Sequence, residues 1–224
     1  MQRHKETYEF DAIIIGGGIV GLAIAYELST EYNNILLVEK ESTFGRHVSS
    51  RNSEVIHSGI YYEPNSLKAR LCIAGNPLMY NFARKYNIAH NNCGKLIVIP
   101  TNNESPKLEA LMDNGRKNGV EGLQILTQKE VSHREPLIKS AGALFVPNTG
   151  IIDTHAIMQK LEYLIKANES NIVYNMEVSN IKHYNDHYTV SFSNLDYEVK
   201  SRIIVNATGL WCDRVSSMVG IDDY

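Results

Sequence analysis

The chain has 224 residues, 43 % hydrophobic and 21 % charged, with 22 basic against 25 acidic residues for a net charge of −3. That balance excludes an overall basic nucleic-acid binder, and no nucleic-acid partner is expected. No apolar run approaches the ~18 residues of a transmembrane helix, so only peripheral membrane association stays open.

Length allows one large domain or two small ones, burying roughly 70–75 % of the unfolded surface. Met1–Glu6 has the charge of a signal-peptide start, but it runs into Thr7-Tyr8-Glu9 rather than an apolar stretch. Cys72, Cys93 and Cys212 are odd in number and widely spaced, without a CxxC pair. Neither a disulfide framework nor a metal site is expected, and a cytoplasmic location fits the cysteine usage.

The first element is the run Phe10-Asp11-Ala12-Ile13-Ile14-Ile15, short and β-branched, as in a buried parallel strand. Gly16-Gly17-Gly18-Ile19-Val20-Gly21 follows and satisfies G-x-G-x-x-G; a helix pattern spans Leu22 to Leu28, and a second strand, Ile35 to Val38, ends in Glu39. Strand, glycine turn, helix, strand and acid form the dinucleotide-binding order. Gly16 permits the tight turn, Gly18 leaves room for a pyrophosphate, and Gly21 lets helix and strand approach. The free N–H groups and dipole at the helix start favour the phosphate charge. Glu39 accepts hydrogen bonds from ribose hydroxyls and repels a 2′-phosphate, which argues against NADP. The motif alone does not separate NAD from FAD.

The next segment, Ser49-Ser50-Arg51-Asn52-Ser53-Glu54-Val55-Ile56-His57-Ser58-Gly59-Ile60-Tyr61-Tyr62, closely resembles the L-2-hydroxyglutarate dehydrogenase/oxidase family, FAD-dependent enzymes of the D-amino-acid-oxidase-like superfamily. The resemblance continues through Ser66–Cys72 and Cys93–Val98 and returns at Ile203–Arg214, where Ala207-Thr208-Gly209 marks the superfamily. It implies FAD as cofactor and a small 2-hydroxyacid as substrate, with L-2-hydroxyglutarate oxidised to 2-oxoglutarate by hydride transfer to flavin. Other FAD-dependent oxidoreductases, acting on amino acids or glycerol 3-phosphate, are the alternatives, as is a non-catalytic dinucleotide-binding fragment.

The candidate cofactor-binding residues are Gly16, Gly18, Ile19, Val20, Gly21, Glu39, Lys40, Ser49, Ser50, Arg51, Asn52, Ser53, Val178, Ala207, Thr208 and Gly209. Ser49 to Ser53 offer hydroxyls, an amide and a guanidinium, although serines also serve as helix caps and Arg51 as a surface ion-pair partner. His57 is the candidate catalytic residue. An imidazole takes a hydroxyl proton as hydride leaves carbon, and the competing role is a flavin-contacting or core histidine. If 52–58 is a short helix, His57 and Ser53 share a face. Arg51, Lys68, Arg70 and Lys95 are available to the two substrate carboxylates, with nothing in the sequence to choose among them.

Residues 66–86 read as a helix interrupted or kinked at Pro77, with Leu67, Leu71, Leu78 and Phe82 on one core-facing stripe. Strands are predicted at 95–99, 124–126 and 144–146, with helices from Ser105 to about Asn118 and from Thr127 to Glu135. Asp153 caps an amphipathic helix carrying Ile157, Leu161, Leu164 and Ile165. Short strands follow near 172–174, 178–184, 187–192 and 197–200, with a turn at Asn185-Asp186. A further strand at 203–205 precedes a last helix from about Trp211 to Val219.

The expected fold class is α/β: a Rossmann-like FAD-binding domain, with a parallel sheet, helices and a β-meander, interrupted by part of an α+β substrate domain. The expected segments are 1–85, 86–152 and 153–224. Members of the family are nearly twice as long, so the chain is expected to be C-terminally truncated. A separately encoded C-terminal half is then a candidate partner.

Overall fold

The computed structural model describes residues 7–193 and 195–222, so the reading of Met1–Glu6 lies outside them. In chain order the described elements are β1 (Thr7–Ile15), α1 (Ile19–Ser29), β2 (Ile35–Val38), β3 (Val55–Ile56), α2 (Leu67–Lys85), β4 (His90–Asn91), β5 (Lys95–Ile99), α3 (Ser105–Lys117) and β6 (Gln124–Thr127). They continue with α4 (Gln128–Arg134), β7 (Gly142–Val146), β8 (Gly150–Ile152), α5 (Thr154–Ala167), β9 (Asn171–Val173), β10 (Val178–His183), β11 (Tyr188–Phe192), β12 (Glu198–Asn206) and α6 (Cys212–Ser217). The chain forms two compact units, one from residues 1–52 with 154–224, the other from 53–153. Residues 53–85, read from the sequence with the first segment, lie in the second of these.

In the first unit, one six-stranded sheet has the order β10-β11-β12-β1-β2-β9. β12, β1, β2 and β9 run parallel, while β10, β11 and β12 form the antiparallel meander. Ala12 to Ile15 and Ile35 to Val38 are all buried, as parallel strands covered on both faces must be. Ile13, Ile15, Leu36, Val38, Val190 and Phe192 make the core of one face. α1 and α5 pack together, with α1 burying Gly21, Leu22 and Ala25 and α5 burying Ile157, Met158, Leu161 and Ile165.

The sequence suggests two strands at 197–200 and 203–205, but β12 is continuous across them. Ser201, the polar residue at the apparent break, is 2 % exposed, and its hydroxyl donates to the Asp11 carbonyl at 2.9 Å. A satisfied hydroxyl can occupy a sheet interior without ending the strand.

The second unit holds two small antiparallel sheets, β3-β8-β4 and β5-β7-β6. Ile60, Ile99, Leu108, Leu144 and Val146 form one core cluster, and Leu126, Val131 and Ala143 another. α2 runs unbroken through Pro77, which corrects the expected interruption. Proline removes one backbone donor from the ladder. Ser66 caps the helix start by accepting from the Ala69 N–H at 3.1 Å, and Ala69, Tyr80 and Ala83 are buried along the helix.

The leucine stripe also departs from expectation. Leu67, Leu71 and Leu78 are 65 %, 63 % and 65 % exposed, because the smaller Ala69 and Ala83 take the inward face. Both faces of α2 carry apolar residues, and small side chains permit the closer approach. Leu71→Gln is therefore expected to change unfolding free energy by no more than about 0.5 kcal/mol. A loss of about 2 kcal/mol or more in chemical denaturation would restore Leu71 to the core.

Candidate functional site

Two clusters, one in each unit, gather most of the residues singled out by the sequence. In the first unit β1 delivers the chain to Gly16, whose N–H donates to the Val38 carbonyl at 2.8 Å. Gly16 has φ +110°, and a Cβ there would lie 2.5 Å from the Ala207 carbonyl oxygen. Only glycine satisfies both the dihedral and the approach. Gly21 is tighter still, since its Cβ would meet the Gly16 carbonyl oxygen at 1.9 Å.

Gly18 differs from both. Among the described residues, the one heavy atom within 4 Å of a Cβ there is Ser49 Oγ, at 3.1 Å. The space before Gly18 is otherwise open, and it faces the start of α1. The first N–H groups of a helix have no intrahelical partners. Gly18 occupies the N-cap position and offers no side-chain cap. The Ile19 N–H instead donates to Ser49 Oγ at 3.0 Å, across 30 residues of sequence.

Glu39 directly follows β2 and is 8 % exposed. Its Oε2 accepts from the Gly17 N–H at 2.6 Å and its Oε1 from the Glu41 N–H at 2.9 Å. Each carboxylate oxygen keeps a second lone pair. The carboxylate is thus fixed beside the glycine turn and remains able to accept ligand hydroxyls.

On the other side, Ala207 N–H donates to the Ile15 carbonyl at 2.9 Å. Asn206 Oδ1 accepts from the Thr208 hydroxyl at 2.6 Å, which shapes the Ala207-Thr208-Gly209 turn. Lys40 Nζ lies 3.7 Å from the centroid of the Trp211 ring, and His47 meets that ring edge-on at 4.6 Å. His47 Nε2 is 2.9 Å from Glu41 Oε1. Of this chain the sequence singles out Lys40 but not its partners Trp211, His47 and Glu41; the signal for them was Trp211 in the segment that carries Ala-Thr-Gly.

The remaining positions are more peripheral. Val20 is 60 % exposed. Ser50 donates to the His47 carbonyl at 3.0 Å, and Asn52 Nδ2 to the Ser49 carbonyl at 2.7 Å. Arg51 is exposed, as is Ser53 in the other unit. Val178 opens β10, partly buried against the sheet core, at a register shift opposite Phe192.

The second cluster surrounds His57. Residues 52–58 are not helical: Glu54 has φ +56°, and Val55–Ile56 form the strand β3 on β8. His57 and Ser53 therefore share no helix face, which corrects that expectation. Ile56 is buried and His57 exposed, as strand alternation requires. The His57 carbonyl accepts from Asn76 Nδ2 at 3.0 Å and from Cys72 Sγ at 3.4 Å, both on α2. Partial burial, followed by the charges of Lys95 and Lys68, holds the His57 imidazole below the ordinary histidine range. Its neutral, proton-accepting form is thereby favoured. Burial lowers the Lys95 ammonium as well.

The FAD dependent oxidoreductase family (DAO) matches residues 11–223. The chain belongs to this family. It is 35 % identical to human mitochondrial L-2-hydroxyglutarate dehydrogenase, over 97 % of this chain and 50 % of that protein. It is 34 % identical to the L-2-hydroxyglutarate dehydrogenase of Escherichia coli K12, over 95 % of this chain and 50 % of that protein. The chain thus spans about half the length of the curated relatives it matches.

Among solved structures, an FAD-bound L-alpha-glycerophosphate oxidase from Mycoplasma pneumoniae superposes with TM-score 0.87 at 30 % identity, covering 94 % of this chain and 57 % of that one. Glycine oxidase from Geobacillus kaustophilus shares the fold, with TM-score 0.85 at 24 % identity over 95 % of this chain and 59 % of that one. An open cradle at Gly18, a helix start without its own cap and a carboxylate beside the turn fit, by their chemistry, a dinucleotide such as the family's FAD. Among the described residues no helix is long and apolar enough to cross a membrane.

Proposed function

We propose that this chain is the cofactor-holding part of an FAD-dependent oxidoreductase that converts L-2-hydroxyglutarate to 2-oxoglutarate. The observation that carries the chemistry is His57, an accessible imidazole anchored through its carbonyl to α2, with its pKa lowered by burial, Lys95 and Lys68. Similarity to L-2-hydroxyglutarate dehydrogenases along nearly the whole chain supports the substrate.

Bound FAD supplies a hydride acceptor for the substrate C2. His57 takes the C2 hydroxyl proton as the carbonyl forms, which balances the two-electron oxidation. Gly18 leaves room for the pyrophosphate, Gly16 and Gly21 allow the close-packed turn that presents it, and the N–H groups of Ile19 and Val20 face its charge. Glu39 receives the ribose hydroxyls, with Lys40 beside it. Ser49 gives up its bond to Ile19 or shares it with a phosphate oxygen. Ser50, Arg51, Asn52 and Ser53 continue along the cofactor, and Val178, Ala207, Thr208 and Gly209 complete its binding surface.

The half of the relatives that this chain does not span supplies the remainder of the redox site, either in one polypeptide or as a separately encoded partner. A reducing compartment such as the cytoplasm suits three widely spaced cysteines, of which Cys93 and Cys212 are exposed. Similarity to the glycerophosphate oxidase favours, as a second reading, oxidation of a hydroxyl beside a phosphate.

The test is a visible spectrum of the purified chain titrated with FAD. The chain should retain dinucleotide affinity and show little turnover alone, because substrate misplaced by ~1 Å can cost ~10²-fold. Gly18→Val puts branched methyls into the open cradle and should weaken FAD binding at least about tenfold, through steric exclusion of the pyrophosphate. Unchanged affinity in that variant would sink the assignment.

A further inference from the structure

Lys68, Cys72 and Asn76 lie at successive four-residue steps on α2 and so form one stripe of that helix. Cys72 and Asn76 both donate to the His57 carbonyl, which places Lys68 one turn along the same stripe. Its ammonium sits 4.7 Å from the centroid of the Tyr62 ring. Lys95, the first residue of β5, sits 4.3 Å from the centroid of the Tyr61 ring. Two consecutive tyrosines thus each present a ring to one lysine.

The turn that carries those rings is pinned from α3 and its C-terminal end. Asn114 Nδ2 donates to the carbonyls of Ile60 and Tyr62 at 2.8 and 3.0 Å, and Asn118 Nδ2 to those of Gly59 and Tyr62 at 3.0 and 2.8 Å. Among the described residues neither Lys68 nor Lys95 has a carboxylate partner of the kind that Lys107, Lys166 and Lys200 have.

An aromatic face attracts an ammonium without neutralising it. Two cations held beside one histidine, on a braced turn and without internal counter-ions, are matched to an incoming anion. We propose that Lys68 and Lys95 form the carboxylate-recognition pair of this site, selecting a dicarboxylic 2-hydroxyacid over a monocarboxylic one. The inference rests on the hydroxyacid reading of His57 and deepens it by choosing two cations among the four that the sequence offers. Arg51 is already assigned to the cofactor. Arg70 is exposed on α2, off the Lys68–Cys72–Asn76 stripe. The depressed His57 and Lys95 titrations agree with an uncompensated positive field, which a bound dianion would relieve.

The experiment uses the 224-residue chain with isotope-labelled histidine, the His57 resonance being assigned by its loss in His57→Gln. NMR titrations use glutarate as the dianion, butyrate as the monoanion and glycerol 3-phosphate as the phosphate probe. Glutarate is expected to bind and to raise the His57 pKa, and butyrate to bind at least about tenfold more weakly, one charge-assisted contact being lost.

Lys68→Met and Lys95→Met should each weaken glutarate about tenfold. Both variants should also raise the His57 pKa of the free protein, a readout that simple loss of packing does not produce. Lys95→Arg should restore affinity and exclude misfolding as the cause. Equal affinities for glutarate and butyrate, or unchanged affinity in both methionine variants, overturns the proposal. Glycerol 3-phosphate binding tighter than glutarate overturns its dicarboxylate assignment. FAD binding is read in the same samples: FAD bound without glutarate defeats the lysine pair alone, whereas lysine-dependent glutarate binding without FAD defeats the oxidoreductase reading.

Discussion

Gly21→Ala should cost the unit formed by residues 1–52 and 154–224 about 3 kcal/mol or more, at the upper end of overpacking losses. The added carbon would lie 1.9 Å from the Gly16 carbonyl oxygen and 3.3 Å from Ala207 Cβ. The first obstacle is main chain, and it belongs to the turn that positions the start of α1. Relief requires α1 to withdraw from β1, which uncovers Leu22 and Ala25, both fully buried. Gly75→Ala supplies the opposite case: its Cβ would meet nothing within 4 Å in the middle of α2. That change should stabilise by about 0.5–1 kcal/mol, because alanine loses less backbone entropy in a helix. Chemical denaturation of both variants gives the comparison. Equal stability of Gly21→Ala and wild type would mean that the close approach of helix and turn has been misplaced.

His57→Ala should slow reduction of the flavin by substrate ~10²–10⁴-fold, the usual contribution of a positioned general base. The measurement is rapid-mixing absorbance under anaerobic conditions, in enzyme complemented with the C-terminal half that the relatives carry. The pH profile adds a second constraint. Burial and the Lys95 and Lys68 charges lower the His57 pKa, so protonation quenches the base only at a pH below the ordinary histidine range. At subsaturating substrate, where the rate reports the free enzyme, it should therefore rise with pH through that lowered value and stay level above it. Lys95→Met removes one repelling charge, raises the His57 pKa and moves the rising limb to higher pH. A loss under about threefold in His57→Ala would leave the imidazole as packing alone, far below the range for a general base.

Much of the first unit is legible in sequence because its determinants are local. Ala12 to Ile15 and Ile35 to Val38 are continuous apolar runs, and both become parallel strands buried on two faces. Ile157, Leu161 and Ile165 recur at helical spacing and are buried on α5. The glycine spacing carries its own sterics: Gly16 and Gly21 stand where no Cβ fits. The resemblance of residues 49–62 to a known family added the cofactor and substrate expectations, which periodicity does not supply.

Other features depend on which distant residues meet. Leu67, Leu71 and Leu78 share a spacing that suits a core, yet Ala69 and Ala83 occupy it, because either face of α2 could be turned inward on sequence grounds alone. The 52–58 segment is short enough to be helix or strand, and pairing of Val55–Ile56 with Gly150–Ile151 selects the strand. Ser49 supplies the missing cap of α1 from 30 residues away. Lys68 and Lys95, 27 positions apart, come to act on one imidazole through a helix stripe and the start of a strand. Periodicity and glycine sterics act over a few residues and are written in the chain. The identity of a hydrogen-bond or charge partner is a property of three-dimensional proximity, which folding alone decides.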